Sequence, residues 1–379
     1  MEIWAFNLRH LRAALETARL GSITAAALAV NLTQPAITQA LANLEVQLGL
    51  PLFERRHDGM EPLDAMQLLV PRIQAALAHV GSSRVTMAQM RALIALGEEG
   101  SYPLASKATG LAQPSLHRAV SDLAVALRRT LVERRGKGIG LTESGRRTLR
   151  GFRLARAELA AAISEIEGLK GHETGRLAIG AMPLSRARVL PAAITAFHHA
   201  HPDIRINILE GSWLELVEPL RDGEIDLMIG ALREPMPDLV QRPLFEDRPV
   251  VFGRRGHPAS GVNPRPEILA TYSWTVPPIG TPLRGQWHAM FEQAGVTPPS
   301  VPIECGSVMM IRQILIDSDF LTLLSPDQVA VELEAGWLEA ICNAPPGIVR
   351  TIGITTRAGW RPTAKQQAFL NQLLVSVNN

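Results

Sequence analysis

Cysteines and long apolar runs are what this 379-residue chain has least of. No apolar stretch reaches the ~18 residues that a membrane-spanning helix needs, and the N-terminus is charged and amphipathic where a secretory leader would be apolar. The expected location is therefore the cytoplasm, with no membrane as partner. Cys305 and Cys342 are the only cysteines. They could pair, but in a reducing compartment two such thiols read as small buried hydrophobes. Cys305 falls where a cleft is expected, and a redox role there would need a lowered thiol pKa. A glycine-rich phosphate loop, a nucleophile elbow and a paired metal motif are all missing. His198, His199 and His201 stand together, but they end a helix before Pro202 and lack a cysteine or acidic set at ligand spacing. Neither an enzyme nor a metal nor a cofactor is expected.

What is present is the composition of a soluble globular chain, 46% hydrophobic and 20% charged, long enough for two or three domains. The net charge of +2 hides a division. Residues 1–80 carry 6 Lys/Arg against 7 Asp/Glu, residues 81–160 carry 14 against 6, and residues 161–379 carry 18 against 23. A surface for a polyanion belongs in the second block.

That block is also the second copy of a repeat. Slid by 79 positions, "NLTQPAITQALANLE" (31–45) meets "GLAQPSLHRAVSDLA" (110–124), Gly21-Ser22 meets Gly100-Ser101, and Glu54-Arg55-Arg56 meets Glu133-Arg134-Arg135, without a gap. Leu8, Leu11 and Leu15 recur as Met87, Met90 and Ile94, the three-four spacing of one helix face. Each copy predicts a helix, a Gly-Ser break, a short Ala-rich helix, a tight turn and a longer helix opening at Gln-Pro. Proline costs no hydrogen bond in that first turn, where the N–H has no intrahelical partner.

A short helix, a turn and an amphipathic second helix make the helix-turn-helix plan, whose second helix offers its N-terminal side chains to the major groove of double-stranded DNA. In copy one these are Thr33, Gln34, Pro35, Ala36, Ile37, Thr38 and Gln39; in copy two Gln113, Pro114, Ser115, His117 and Arg118. Gln reads adenine and Arg reads guanine through paired hydrogen bonds. "LPLFERRHDGM" and "RTLVERRGKGI" then supply a basic hairpin to each copy, with Arg55 and Arg56 in the first and Arg134, Arg135 and Lys137 in the second placed to lie along phosphates.

The stretch "LRHLRAALETARLGSITAAALAVNLTQPAITQALANLEVQLGLPLFERR" resembles the winged helix-turn-helix of LysR-type transcriptional regulators, and copy two, ending "RRGKGIGLTESGRRTL", resembles the same module. Family members normally carry one, so this chain departs by carrying two. With Lys107, Arg118, Arg134, Arg135 and Lys137, copy two is the better phosphate binder, whereas Asp58 and Glu61 oppose the arginines of copy one. Copy one keeps the closer match at the recognition-helix start. The expectation is that copy two anchors DNA while copy one reads an adjacent half-site weakly or serves as scaffold.

Val70, Ile73, Leu77 and Val80 after copy one, and Leu149, Phe152, Leu159, Ile163 and Ile166 after copy two, form apolar stripes. Such stripes suit a partner helix, in another subunit or in the chain's own core. The resemblance implies a homodimer or homotetramer paired through the linker helix.

Beyond "GLKGHETG" (168–175) the rhythm changes to short β-rich runs, "RLAIGA", "DIRINILEG" and "EIDLMIGA", alternating with helical stretches. A parallel, doubly wound α/β sheet is predicted, with ligands at the carboxyl ends of its strands. This half resembles the family's effector-binding domain, two lobes similar to type 2 solute-binding proteins that close on a small molecule.

The predicted architecture is thus multidomain α+β. It comprises a first winged helix-turn-helix with trailing helix (1–80), a second (81–142), a linker helix (143–170) and a two-lobed effector domain (171–379). Lobe 1 takes about 176–252 and 345–379, and lobe 2 about 253–344. The pocket candidates are Met182, Leu184, Ser185, Arg233, Thr281, Arg284, Gly306 and Ser307, with Arg186 and Arg188 nearby; hydroxyls and free N–H groups at helix starts suit a carboxylate. Two functions stay open: a ligand-responsive transcription regulator, and an α/β solute-binding or enzymatic protein whose helical modules serve assembly only.

Overall fold

The computed structural model describes residues 2–57, 59–135, 138–172, 174–185, 187–261 and 263–378. The chain forms two compact units, Met1–Arg176 with Asp203–Arg205 and Arg221–Glu224, and the remainder, Leu177–Pro202, Ile206–Leu220 and Ile225–Asn379.

The first unit holds both copies. Module one runs α1 (Leu8–Leu20), α2 (Ile23–Val30), α3 (Gln34–Leu48), β1 (Phe53–Arg56), β2 (Gly59–Pro62) and α4 (Asp64–Val80). Module two runs α5 (Met87–Glu99), α6 (Tyr102–Thr109), α7 (Gln113–Leu127), β3 (Val132–Arg135), β4 (Gly138–Leu141) and α8 (Glu143–Leu169). Every element of module two begins 79 residues after its counterpart, as the repeat predicts. The same local code punctuates both. Ser22 and Ser101 cap the second helices by accepting from Ala25 N and Leu104 N. The turn into each third helix passes through a left-handed residue, Asn31 at φ 55° and Gly110 at φ 70°, a conformation Asn and Gly reach at least cost. The hairpins β1–β2 and β3–β4 pair antiparallel in equivalent register, Phe53 with Pro62 and Val132 with Leu141.

The segments expected as 1–80, 81–142 and 143–170 share one hydrophobic core, which runs without interruption from Phe6 through Leu44, Ile73, Leu93 and Leu123 to Phe152 and Ile166. The reason is α4 against α8. Ile73, Leu77 and Val80 on one, and Leu149, Phe152, Leu159 and Ile166 on the other, are buried in that single cluster. The two stripes meet each other within the chain, α4 against α8.

Among the described residues the second unit holds a five-stranded sheet, a three-stranded sheet and a parallel pair of two-residue strands. The first is formed by β5 (Arg176–Ala181), β6 (Arg205–Glu210), β7 (Leu227–Ala231), β8 (Leu239–Asp247) and a strand from near the C-terminus, with α9 (Val189–Ala200) and α10 (Trp213–Arg221) between its early strands. After β8 the chain enters the second lobe through β9 (Val250–Arg254), α11 (Pro266–Leu269), β10 (Thr275–Val276), α12 (Pro282–Glu292), β11 (Ile303–Glu304), α13 (Val308–Ile316), β12 (Thr322–Leu324), α14 (Ala330–Glu334) and β13 (Leu338–Asn343). It returns through β14 (Arg350–Arg357) and ends in α15 (Ala364–Asn378). The strand orders are β6-β5-β7-β14-β8 and β12-β9-β13.

Here the sheet departs from the expected all-parallel form. β5 and β7 are parallel, but β14 runs antiparallel to both β7 and β8. The connection dictates this: β8 leaves for the second lobe from its carboxyl end, and β14 re-enters at that end, so it must run back. β9 already belongs to the second sheet, where it lies antiparallel to β12 and β13. The first crossing therefore falls at residues 248–249, a few positions before the expected limit of 252. A core of Trp274, Trp287 and Phe291, rings edge to face at 5.3 to 5.7 Å, holds lobe 2. Phe197 on α9 against Phe369 on α15 joins the helices covering lobe 1.

Candidate nucleic-acid interface and ligand cleft

Burial decides which side chains of the third helices can reach a partner. On α3, Ile37, Ala40, Leu41, Leu44 and Leu48 are buried, and on α7, Leu116, Val120 and Leu123. This leaves Thr33, Gln34, Pro35, Thr38 and Gln39 exposed on the first, and Gln113, Pro114, Ser115, His117 and Arg118 on the second. Ile37, expected among the presented side chains, has no exposure and belongs to the core. Neither Gln-Pro helix start is packed inside the protein.

The exposed groups differ in freedom. In module one the Thr33 hydroxyl caps α3 by accepting from Ala36 N, Thr38 Oγ1 donates to the Gln34 carbonyl, and Gln39 Nε2 donates to Asn43 Oδ1 at 2.9 Å. Module two has Ala112 at the cap, with no side-chain hydrogen bond to the helix start; Pro114 brings no N–H there, and Ser115 N donates to the Ala112 carbonyl at 3.0 Å. His117 packs its ring 5.3 Å from that of Tyr102, and with Ser106, Gln113 and Pro114 the two line a shallow recess beside the helix start. Burial raises the pKa of Tyr102.

The hairpins also differ. Arg56 is held by Glu54 at 2.9 Å and by Glu61 at 2.5 Å, so its charge is partly answered at home. Arg55 and Arg134 are exposed. The backbone of Arg135 closes β3, while Lys137 and Asp58 lie outside the described residues.

Between the modules sits a group that sequence reasoning missed. Arg72, on α4, is buried and donates to Glu158 Oε2 at 3.0 Å and Glu165 Oε1 at 2.6 Å, both on α8. Burial by itself would lower the Arg72 pKa, but the hydrogen bonds and charge of the two carboxylates outweigh it and raise it. A lone arginine in a helix reads as solvated, and its partners lie 86 and 93 residues away; only its place three residues after Leu69 and four before Ala76, both buried, hinted at burial.

In the second unit the pocket candidates fall at strand and helix ends as expected, with most of their polar atoms already committed. Met182 and Leu184 are buried after β5, and Ser185, also buried, donates to the Met182 carbonyl at 2.8 Å. Thr281 caps α12 by accepting from Arg284 N and donates to the Pro278 carbonyl. Ser307 caps α13 by accepting from Met310 N, with exposed Gly306 before it. Arg284, a pocket candidate, is paired: it donates to Glu304 at 3.1 Å and to the Pro277 carbonyl, and lies over the Trp287 ring. Arg188 is exposed, 3.9 Å from Asp327, and Arg186 lies outside the described residues.

Arg233 is the exception. Its backbone is clamped on both sides by the Gln241 amide, its guanidinium lies 5.6 Å from the Trp213 ring centre, and its buried Nε has no hydrogen-bond partner among the described residues. Burial lowers its pKa, so an anion arriving there gains by completing it. Sequence reasoning did not single out the pair of Asp247 and Arg350, the last residue of β8 and the first of β14, which hydrogen-bond where the chain passes between lobes.

No helix among the described residues is long and apolar enough to cross a membrane, and no group of three or more metal-ligating side chains occurs among them.

Comparison with known proteins agrees with this geometry. The LysR substrate binding domain matches residues 170–376, and the bacterial regulatory helix-turn-helix protein of the lysR family matches twice, at residues 8–67 and 87–146. The HTH-type transcriptional regulator GalR of Pseudomonas putida is 33% identical over 368 residues, 93% of this chain and 93% of that one. That alignment is too long to leave out either module. The SDS degradation transcriptional activation protein of a Pseudomonas species is 31% identical over 279 residues, 72% of this chain and 90% of its own length. Among solved structures, a full-length point variant of OxyR from Pseudomonas aeruginosa shares the fold with a TM-score of 0.56 at 22% identity, covering 77% of this chain and 94% of that one. These matches set aside the reading in which the helical modules serve only the assembly of a solute-binding or enzymatic protein. The chain belongs to the LysR family of DNA-binding transcriptional regulators, with its helix-turn-helix module present twice and a substrate-binding domain behind it.

Proposed function

We propose that the protein regulates transcription in the cytoplasm by binding double-stranded DNA through Thr33, Gln34, Pro35, Thr38 and Gln39 of α3 and Gln113, Pro114, Ser115, His117 and Arg118 of α7. Arg55, Arg56, Arg134, Arg135 and Lys137 then lie along phosphates. The observation that carries this reading is the exposure of both third-helix starts beside a segment with 14 basic against 6 acidic residues. Cations in that number make binding steeply dependent on salt. A gel-shift series with a duplex library at two salt concentrations tests it: retention that falls sharply as salt rises supports it, and no retention at either concentration removes it.

The effector is a small carboxylate, held by the guanidinium of Arg233 over Trp213 with the Met182–Ser185 turn beside it. An unpartnered buried N–H on a cation supports this class, because a carboxylate answers both its charge and its hydrogen bond. The regulator works as a homodimer or homotetramer whose DNA-binding arrangements differ in affinity for the effector, the difference that lets a ligand shift one into another. Thermal shift of the full chain against a panel of small mono- and dicarboxylates, succinate and benzoate among them, reads this out. Stabilisation by a member of the panel in the wild type and not in Arg233→Gln is expected; equal stabilisation of both overturns the assignment.

A further inference from the structure

We infer that α4 and α8 form a two-fold seam that accepts only unlike modules, so that one chain presents two different recognition helices to one inverted, asymmetric pair of DNA half-sites. This rests on the DNA-binding reading above.

One contact across the seam has its exchanged counterpart. Arg72 on α4 meets Glu158 on α8. Shifting each by the repeat of 79, Arg72 becomes Gly151 and Glu158 becomes His79, and these two also meet: a Cβ on Gly151 would lie 2.6 Å from the His79 carbonyl oxygen. When residue i of one copy touches j of the other, and j of the first touches i of the second, the copies are related by a two-fold axis. The helices pass antiparallel, and the modules they carry are turned about that axis as two subunits of a dimer would be.

The side chains at the two ends of the seam are not alike, and that selects the partner. At one end a long buried cation lies against two carboxylates; at the other, glycine lets the backbones close on each other. Two copies of module one placed in this seam would each bury Arg72 opposite His79, with no carboxylate to answer it. Two copies of module two would set Glu158 opposite Gly151 with no cation. Only module one against module two satisfies the buried charge, and a mismatch of buried charge is a strong means of rejecting the wrong partner. The residues between them, 81–86, join α4 to α5 within the chain.

Two-fold related helix-turn-helix modules bind half-sites in inverted orientation about one helical turn apart, or a multiple of it. Here the two starts carry different codes, Gln34, Thr38 and Gln39 against Gln113, His117 and Arg118, so the half-sites must differ. Subunit pairing is left to surfaces other than this seam.

The test is selection of bound duplexes from a random-sequence library by the purified full chain, repeated with Gln39→Ala and Arg118→Ala, exposed substitutions that leave the core untouched. The expected result is a site of two unlike, inverted halves, with Arg118→Ala relaxing discrimination roughly 5- to 100-fold in one half and Gln39→Ala acting on the other. A palindrome whose two halves both respond to the same substitution overturns the proposal, since two chains would then each supply the same helix. A site with a single half, insensitive to Gln39→Ala, also overturns it while leaving the regulator reading intact. Enrichment of no sequence at all, without salt-sensitive retention, sinks the regulator reading itself.

Discussion

Arg72 on α4 and Glu165 on α8 meet at 2.6 Å, 93 residues apart in sequence, with 4% and 15% of their side chains exposed. A charge pair so little hydrated is costly to form and more costly to break, because removal of one partner leaves the other desolvated and alone. Arg72→Ala should therefore lower the stability of the first unit by about 3–5 kcal/mol. Urea titration of the full chain checks this, with Arg118→Ala as the exposed control. A loss under about 1 kcal/mol, the range of exposed pairs, would mean that the cluster is hydrated in solution.

Two glycines of α8 should answer oppositely to the same substitution. A Cβ on Gly151 would press on the His79 backbone, while one on Gly168 would meet nothing within 4 Å. Gly151→Ala should cost about 1–3 kcal/mol through overpacking of the seam. Gly168→Ala should gain up to about 1 kcal/mol from helix propensity. Melting temperatures of the two variants moving in the same direction would contradict the close approach of the helices.

The two wings should differ in their share of the salt dependence. Arg134→Ala should reduce the slope of log affinity against log salt by about 0.9, one phosphate's worth. Arg56→Ala should change it less, since Glu54 and Glu61 hold that guanidinium near home. Fluorescence anisotropy with a labelled duplex across a salt series gives both slopes; equal changes would show that the Glu61 contact gives way to DNA.

Cys342 should be a poor nucleophile. Burial pushes its thiol up to about 11, so at pH 8 only about one molecule in a thousand carries the thiolate. Alkylation by iodoacetamide should be slow at pH 8 and quicken about tenfold per pH unit up to pH 10, where a thiol of ordinary pKa would level off near 9. A rate already saturated at pH 8 would place the thiol in a different environment.

Much of the DNA-facing half was legible along the chain. The three-four spacing, the Ser caps, Asn31 and Gly110 at the turns and the position of Gln-Pro are all signals within a few residues of one another, and the structure reproduces them at the same offset throughout. The pocket was legible only as a set of places. Thr281, Ser307 and Ser185 stand at helix and strand ends as predicted, yet their hydroxyls are engaged in caps and backbone contacts, and Arg284 is paired with Glu304. A sequence shows where a hydroxyl or a guanidinium stands and not what it already touches, which is why Arg233 emerges as distinctive only once its unpartnered Nε is seen.

By itself, then, the amino-acid order settled the family, the doubling of the module and the order of elements within each copy, because periodicity, capping and turn chemistry act between near neighbours. The direction of β14, the commitment of Arg284 and the union of both modules around Arg72 belonged to the tertiary structure. Each depends on what a strand or a charge meets after the chain has folded back over dozens of residues, where burial and pairing, not local propensity, set the energy.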